Sequence, residues 1–231
     1  MIKIFERNGF CVMKKCISKV CFFTVLMFLI LDSSFSQTKK ADILDKEIQL
    51  DRQNASLLEI CSILAASNNV SIGIEWSSKS EMRNREILDV KSGTLRQILD
   101  SLVRQEPDYD WEIRNDVVNF YPVRQRDKVL NELLNTKITN FRIRNAVVNQ
   151  RIVDDFNKLK ELQKFQKDQN VIINFWYLSS IEGDLNQKTI GTEFANLNLK
   201  EILNKIVKQN HHKLWEIDYS QSTKGIIIIN F

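Results

Sequence analysis

Residue types that build catalytic and metal-binding sites are scarce in this sequence of 231 residues. It has two histidines, His211 and His212, and because they are adjacent their side chains point apart in a helix or a strand. No cysteine or third histidine lies near them, which argues against a zinc site, and the same pair offers little for a histidine-dependent triad. The six glycines form no phosphate-binding cluster. We therefore predict that the chain is not an enzyme and holds no metal and no cofactor.

Cysteine is almost absent from the part of the chain that is expected to fold. Three of the four cysteines, Cys11, Cys16 and Cys21, lie within the first 36 residues, and only Cys61 follows them. No intrachain disulfide can form in the remainder, so its stability must come from packing. Cys61 lies in the apolar stretch LLEICSILAA without a base beside it. We predict a buried and unreactive thiol.

Long hydrophobic runs are also lacking. The apolar run at residues 20–31 (VCFFTVLMFLIL) has 12 residues, whereas about 20 are needed to span a bilayer. Lysines precede the run and small residues follow it: Lys14, Lys15, Lys19, Ser34 and Ser36. This order is typical of a secretory signal peptide, so we predict one over residues 1–36 with cleavage near Ser36. An uncleaved anchor is the alternative, and a start at Met13 instead of Met1 would give the signal peptide an ordinary length.

Neither sign of charge is in excess once this segment is removed. Residues 1–36 hold five of the 33 basic residues and two of the 29 acidic residues, which leaves 28 against 27. A nearly neutral chain gives no support for nucleic-acid binding. We expect an exported protein of the periplasm or cell surface that has no nucleic-acid partner and no stable membrane span after signal cleavage.

An internal repeat occupies most of what remains. A shift of 104 residues aligns residues 95–113 with residues 199–217 without a gap, and eight of the 19 positions are identical. The tripeptide WEI occurs in both copies, at Trp111 and at Trp215. The apolar positions recur with helical spacing, so we infer a duplication. We expect the two tryptophans to face the cores of two equivalent domains.

Each copy has the same predicted order of elements. Thr94 with Gln97, and Asn198 with Glu201, form candidate capping boxes for amphipathic helices, and two strands follow each helix. A strand, a helix and two further strands precede them. In the second copy this earlier helix is expected to be one longer helix with a single apolar stripe: Val148, Ile152, Phe156, Leu159 and Leu162. The predicted fold class is α+β, with two tandem β-α-β-β-α-β-β domains whose two helices pack against small sheets.

The domain boundaries follow from the repeat. Domain 1 is placed at residues 47–123 and domain 2 at residues 138–231. The connector between them, residues 124–137 (RQRDKVLNELLNTK), lacks glycine and proline. It holds four apolar residues: Val129, Leu130, Leu133 and Leu134. We predict that this connector is helical and partly packed, which would hold the two domains in a fixed relation.

Both copies resemble a known family in their hydrophobic pattern and helix caps. The segment EILDVKSGTLRQILDSLVRQEPDYDWEIRNDVVNFYPV is similar to the secretin and TonB short N-terminal domain. The segment GTEFANLNLKEILNKIVKQNHHKLWEIDYSQSTKGIIIINF is similar to the same domain and also to the C-terminal domain of anti-sigma regulators related to iron-dicitrate sensing. The resemblance covers residues 47–123 and 138–231. It implies a compact α+β docking module in the envelope of a Gram-negative bacterium.

Trp176 is the candidate partner-binding residue. The strand VIINFWYL matches VSIGIEW of the first copy when Val171 is aligned with Val70, and this alignment places Trp176 at the position of Glu75, facing outward. Exposed tryptophan is a frequent contact in protein interfaces. The alternative is that the longer helix or the neighbouring domain covers it.

The expected function is that of an exported, non-catalytic protein-binding or adaptor module with a protein partner in the cell envelope. A structural subunit that self-associates through sheet edges is the first alternative. A hydrolase that uses surface carboxylates is the second, although pairs such as Asp154 and Asp155 fit better as a solvated helix face.

Overall fold

The computed structural model describes residues 43–76, 88–124, 126–146, 150–176, 190–209, 213–220 and 225–230. The chain divides into two compact units, Met1–Lys46 and Glu47–Phe231. Of the first unit, residues 43–46 are described and hold the end of a helical turn. The predicted signal peptide, residues 1–36, lies outside the described residues, and so do His211 and His212. The strands and helices that follow belong to the second unit.

Both halves of the second unit mix strands and helices, in an order close to the predicted one. The first half comprises β1 (Glu47–Ile48), β2 (Arg52–Ala55), α1 (Leu57–Asn68), β3 (Ile72–Glu75), β4 (Leu88–Val90), β5 (Gly93–Thr94), α2 (Leu95–Gln105), β6 (Tyr109–Arg114) and β7 (Val117–Pro122). The second half follows the connector helix α3 (Lys128–Leu134) and comprises β8 (Lys137–Ala146), α4 (Gln150–Asn157), α5 (Lys160–Gln169), β9 (Val171–Trp176), β10 (Ile190–Asn198), α6 (Leu199–Gln209), β11 (Leu214–Ser220) and β12 (Gly225–Asn230). The α+β class is therefore confirmed.

Equivalent caps begin the second helix of each repeat. At α2, the backbone N–H of Gln97 donates to Thr94 Oγ1 at 3.2 Å, and the backbone N–H of Thr94 donates to Gln97 Oε1 at 2.9 Å. At α6, the backbone N–H of Glu201 donates to Asn198 Oδ1 at 2.8 Å, and the backbone N–H of Asn198 donates to Glu201 Oε2 at 3.0 Å. Both are complete capping boxes, as predicted, and each satisfies two backbone donors that the helix itself leaves unpaired.

The single longer helix expected early in the second half is instead two helices, α4 and α5. Leu159 has an extended backbone with φ −66° and ψ 120°, which interrupts the helical hydrogen bonds. Its N–H donates to the carbonyl of Phe156, so a tight turn closes α4. The predicted apolar stripe is shared by the two helices, because Ile152 and Phe156 of α4 and Leu162 of α5 are all buried. The second repeat therefore has three helices where two were predicted.

The arrangement of the sheets also differs from the predicted one. The antiparallel pairs β1–β5 and β2–β4 of the first half, and the longer pair β8–β10 of the second half, form separate two-stranded sheets. The other six strands, three from each half, lie in one sheet with the order β6-β7-β3-β11-β12-β9. The halves meet where β3 runs parallel to β11, with Ile72 opposite Leu214 and Glu75 opposite Ile217. Every residue of β3 is buried, as expected of a strand that has neighbours on both sides.

The second half of this sheet is related to the first by a shift of three strands across the sheet and a rotation of 180° that reverses the direction of every strand and exchanges the two faces. Strands β6, β7 and β3 correspond in order to β11, β12 and β9, and the pairing directions show that each strand runs opposite to its equivalent. Residues paired across neighbouring strands lie on the same face. One such row contains Trp215, Gly73, Asn119 and Glu112. The adjacent row, on the opposite face, contains Trp111, Phe120, Ile74, Glu216, Asn230 and Trp176.

The two cores consequently lie on opposite faces of the sheet. Trp215 and Ile229 face a buried cluster that also includes Phe156 of α4. The connector helix α3 contributes to this cluster through three buried residues: Leu130, Leu133 and Leu134. On the other face, Ile74 and Phe120 are fully buried within the first half. The connector is thus helical and packed.

Candidate functional site

Strand β9 is an end strand of the six-stranded sheet. Within the described residues it pairs on one side only, in parallel with β12, so that Ile172 lies opposite Ile226 and Trp176 lies opposite Asn230. Alternate side chains of β9 enter the core, because Ile173 is buried and Ile172 is not. The outer row carries two of the exposed large apolar residues, Ile172 at 42% and Trp176 at 59% exposure. We call these two residues the β9 patch.

The two residues of the β9 patch have different neighbours on this face of the sheet. Ile172 lies opposite Ile226 of β12, which is half-buried. Trp176 lies opposite Asn230, whose amide donates to Glu216. Asn174 separates Ile172 from Trp176 on β9, and the strand VIINFW has no charged residue. Exposed large apolar side chains on an end strand are candidates for an interaction site.

The exposure expected for Trp176 is confirmed, but its expected equivalence to Glu75 is wrong. In the first half, Glu112 pairs with Asn119, which pairs with Gly73. In the second half, Glu216 pairs with Asn230, which pairs with Trp176. Because Glu112 and Glu216 are equivalent in the repeat, Trp176 stands at the position of Gly73. The register differs from the predicted one by two residues, which leaves the same face exposed.

Gly73 holds a special place where the halves meet. A Cβ atom at residue 73 would lie 2.3 Å from Cε2 of Trp215, a distance that no real Cβ contact tolerates. The indole of Trp215 therefore lies directly against the β3 backbone, and its N–H donates to Asn204 Oδ1 of α6 at 2.7 Å. A glycine within a strand commonly marks such a close approach. The equivalent residue on β9 is Trp176, whose side chain is exposed.

A buried hydrogen-bond network joins the halves on the face of the sheet that carries Trp76. The indole N–H of Trp76 donates to Glu216 Oε2 at 2.7 Å, and the amide of Asn230 donates to Glu216 Oε1 at 2.6 Å. Cys61 is buried nearby, as predicted. Burial, with a smaller contribution from the charge of Glu216, raises the pKa of the Cys61 thiol far above its ordinary value, so it stays protonated. Cys61 is therefore unsuited to act as a nucleophile.

Charged side chains join the halves on the opposite face. Lys200 of α6 lies 3.0 Å from Glu75 and 2.9 Å from Glu112, and its own side chain is 4% exposed. Arg126 donates two hydrogen bonds of 2.9 Å to Glu75. These groups neutralise one another at close range, as buried charges must. They hold α6 across the first half, and sequence patterns gave no signal for this cluster because its members come from four separate segments.

The other polar candidates are dispersed. Asp154 is exposed on α4, while Asp108 lies 3.9 Å from Arg124 on the surface. In the part of the chain that the structure describes, no three side chains of histidine, cysteine, aspartate or glutamate are grouped so as to hold a metal ion. Nor is any described helix long and apolar enough to cross a membrane.

No family model, curated protein or solved structure matches this chain. The resemblance to the secretin and TonB short N-terminal domain therefore stays a prediction.

Proposed function

We propose that this chain is an exported, non-catalytic protein-binding or adaptor module of the bacterial cell envelope, and that β9 is its binding edge. The observation that carries the proposal is the position of the β9 patch. Ile172 and Trp176 are exposed apolar residues on an end strand. An end strand offers backbone N–H and C=O groups on its outer edge, with which a strand of a partner protein can pair. On β9 the N–H of Ile173 already donates to Gln166 Oε1 at 2.8 Å, so an incoming strand must displace this side chain.

The backbone and the side chains of β9 would make different contributions to binding. Hydrogen bonds to the β9 backbone supply affinity that is independent of sequence, while side chains that point alternately to the two faces supply specificity. Trp176 is the natural anchor because an indole covers a large area at low entropic cost, and tryptophan is enriched among residues that dominate binding energy. Ile172 lies four residues away on the same face and extends the contact.

The proposed location in the cell envelope rests on the signal peptide predicted from the sequence. Lysines, an apolar run of 12 residues and small residues succeed one another in residues 1–36, which is the order of a signal peptide. Mass spectrometry of the protein recovered from the envelope tests this part, because export with cleavage near Ser36 removes the first 36 residues.

Site-specific photocrosslinking in the native cell tests the binding edge. A benzoylphenylalanine is placed at residue 176 in one strain and, as a matched control, at the exposed Glu193 of β10 in another. We expect a discrete adduct with one other protein from residue 176, absent at residue 193 and weakened when Ile172 is replaced by lysine. Identical adduct patterns at both positions, or none at residue 176, would contradict the proposal.

A self-associating structural subunit is the second candidate. The observation that favours it is the joint between β3 and β11, where two halves of similar sequence already pair edge to edge. In that case, the adduct from residue 176 would contain a second copy of the same chain.

A further inference from the structure

The interface between the halves, where β3 pairs with β11, joins two different surfaces and therefore leaves one copy of each surface free at the ends of the sheet. The last strand of the first set, β3, accepts the first strand of the second set, β11. A contact between two different surfaces generates an open series if it is repeated. Because β9 is equivalent to β3, and β6 is equivalent to β11, one more step would place β6 of a second copy beside β9 of the first. Both strands are ends of the sheet within the described residues.

Pairing of β6 of a second copy with β9 would place two tryptophans opposite each other. At the existing joint, Trp215 lies against Gly73, where there is no room for a Cβ atom. In the next step Trp111 of the second copy takes the place of Trp215, and Trp176 takes the place of Gly73. Close-packed interiors do not accommodate so large an addition without displacement of the backbone.

We propose that Trp176 decides which strand can join β9. It excludes a second copy of this chain, whose Trp111 would occupy the same space, and it admits a parallel strand of a partner protein that has glycine or another small residue opposite Trp176. Where β3 pairs with β11, the glycine is Gly73 of β3 and the tryptophan is Trp215 of β11. At β9 the tryptophan is already on the end strand, so the added strand must supply the small residue. The identity of the partner as another protein rests on the proposed function, whereas the exclusion of a second copy does not.

The composition of β9 supports a blocking role for Trp176. Natural end strands are commonly protected by charged residues, proline or a bulge. Strand β9, VIINFW, has no charge and no proline, and its register with β12 is continuous over six residue pairs. The backbone N–H of Ile173 donates to Gln166 Oε1 of α5 at 2.8 Å, so one polar side chain covers part of this strand. An apolar end strand favours aggregation, and the bulk of Trp176 adds a block at the place where the next strand must pack close.

Removal of the indole from β9 tests the exclusion directly. We expect the exported wild-type protein to sediment as one chain, and the Trp176→Gly variant to associate with rising concentration until its weight-average mass is at least about doubled. The matched control is Ile172→Gly, which removes the other exposed apolar residue of β9 and is expected to remain a monomer. A monomeric Trp176→Gly variant would overturn the proposal. So would a wild-type protein whose association is abolished by Trp176→Asp.

A substitution on β6 tests whether β9 can pair with a strand that has a small residue opposite Trp176. The Trp111→Gly variant presents glycine on β6 and keeps Trp176, so we expect it to bind wild-type β9 in a pull-down between two differently tagged copies. Circular dichroism establishes that the variant is folded. If the Trp111→Gly variant is folded and captures no wild-type chain, the proposal that β9 pairs with a strand carrying a small residue opposite Trp176 is wrong. Neither experiment uses the unknown envelope partner, so failure of the photocrosslinking experiment leaves these outcomes unchanged.

Discussion

The indole N–H of Trp76 donates a 2.7 Å hydrogen bond to the carboxylate of Glu216, which lies 140 residues further along the chain. Both side chains are buried, and they come from different copies of the repeat. A hydrogen bond to a buried charge contributes more than one between neutral groups. The bond therefore joins the two repeats into one structure, which adjacency in sequence alone would not do.

A double-mutant cycle measures this bond. Trp76→Phe removes the donor, and Glu216→Gln replaces one acceptor oxygen by an NH₂ group that faces a donor. We expect each change to cost about 1–3 kcal/mol of unfolding free energy in urea, with a coupling of at least about 0.5 kcal/mol. Strictly additive losses would show that the two side chains do not interact.

Gly73 is expected to be intolerant of alanine. The added Cβ would meet Trp215 at 2.3 Å, and the ring is enclosed by the core, so the joint between β3 and β11 must open. Overpacking of this kind costs about 1–3 kcal/mol, occasionally more. Gly93→Ala is the matched control, because the nearest atom there is Gln97 Oε1, at the end of a side chain that can shift away. The shift weakens the capping hydrogen bond from the N–H of Thr94, so the cost is expected to be about 1 kcal/mol. Equal stabilities of the two variants by thermal unfolding would contradict the packing at Gly73.

Two lysines of α6 bridge to the first half, yet they should differ in importance. Lys200 is buried between Glu75 and Glu112, whereas Lys208 pairs with Asp116 at the surface with half of its side chain exposed. Lys200→Met is expected to cost about 3 kcal/mol, because it leaves the buried carboxylate of Glu75 with less compensation. Lys208→Met is expected to cost less than about 1 kcal/mol. Chemical denaturation compares them, and a larger loss for Lys208→Met would refute the burial argument.

The two repeated tryptophans are also expected to differ. Trp215 is fully buried, whereas Trp111 is half-buried on end strand β6, where its N–H donates to Asp100 Oδ1 at 3.2 Å. Trp215→Ala is expected to cost about 3–5 kcal/mol as a core truncation. Trp111→Ala should cost less than half of that loss, because its ring loses fewer contacts. Equal losses in urea unfolding would restore the equivalence that the sequence suggests.

Local features of the fold were predictable from the sequence because local interactions determine them. The capping boxes at Thr94 and Asn198 formed as predicted, and so did the helix and the two strands that follow each box. Ser56 likewise accepts the backbone N–H of Glu59 at the start of α1. Such bonds need partners only three residues away, so a single sequence contains the necessary information.

The joint between β3 and β11 was not predictable in the same way. Which sheet edges meet depends on the shapes of two assembled surfaces, and an alternating pattern specifies the face of a side chain but not its partner strand. The same limitation explains the alignment of Trp176 with Glu75, because a shift of two residues leaves every side chain on its original face. One signal was present: a glycine inside the apolar strand VSIGIEW indicates a close approach.

The two repeats share one sheet in which β3 is an internal strand and β9 is an end strand. Hydrogen exchange measured residue by residue by NMR on the monomeric protein tests this arrangement, because β3 and β9 are equivalent strands in different surroundings. We predict that the amides of Ile72–Glu75 exchange only through global unfolding. The β9 amides that point away from β12 are expected to exchange at least about 100-fold faster, except that of Ile173, which donates to Gln166 Oε1. Uniform protection of β9 at the level of β3 would show that this edge is already occupied, and would contradict the account.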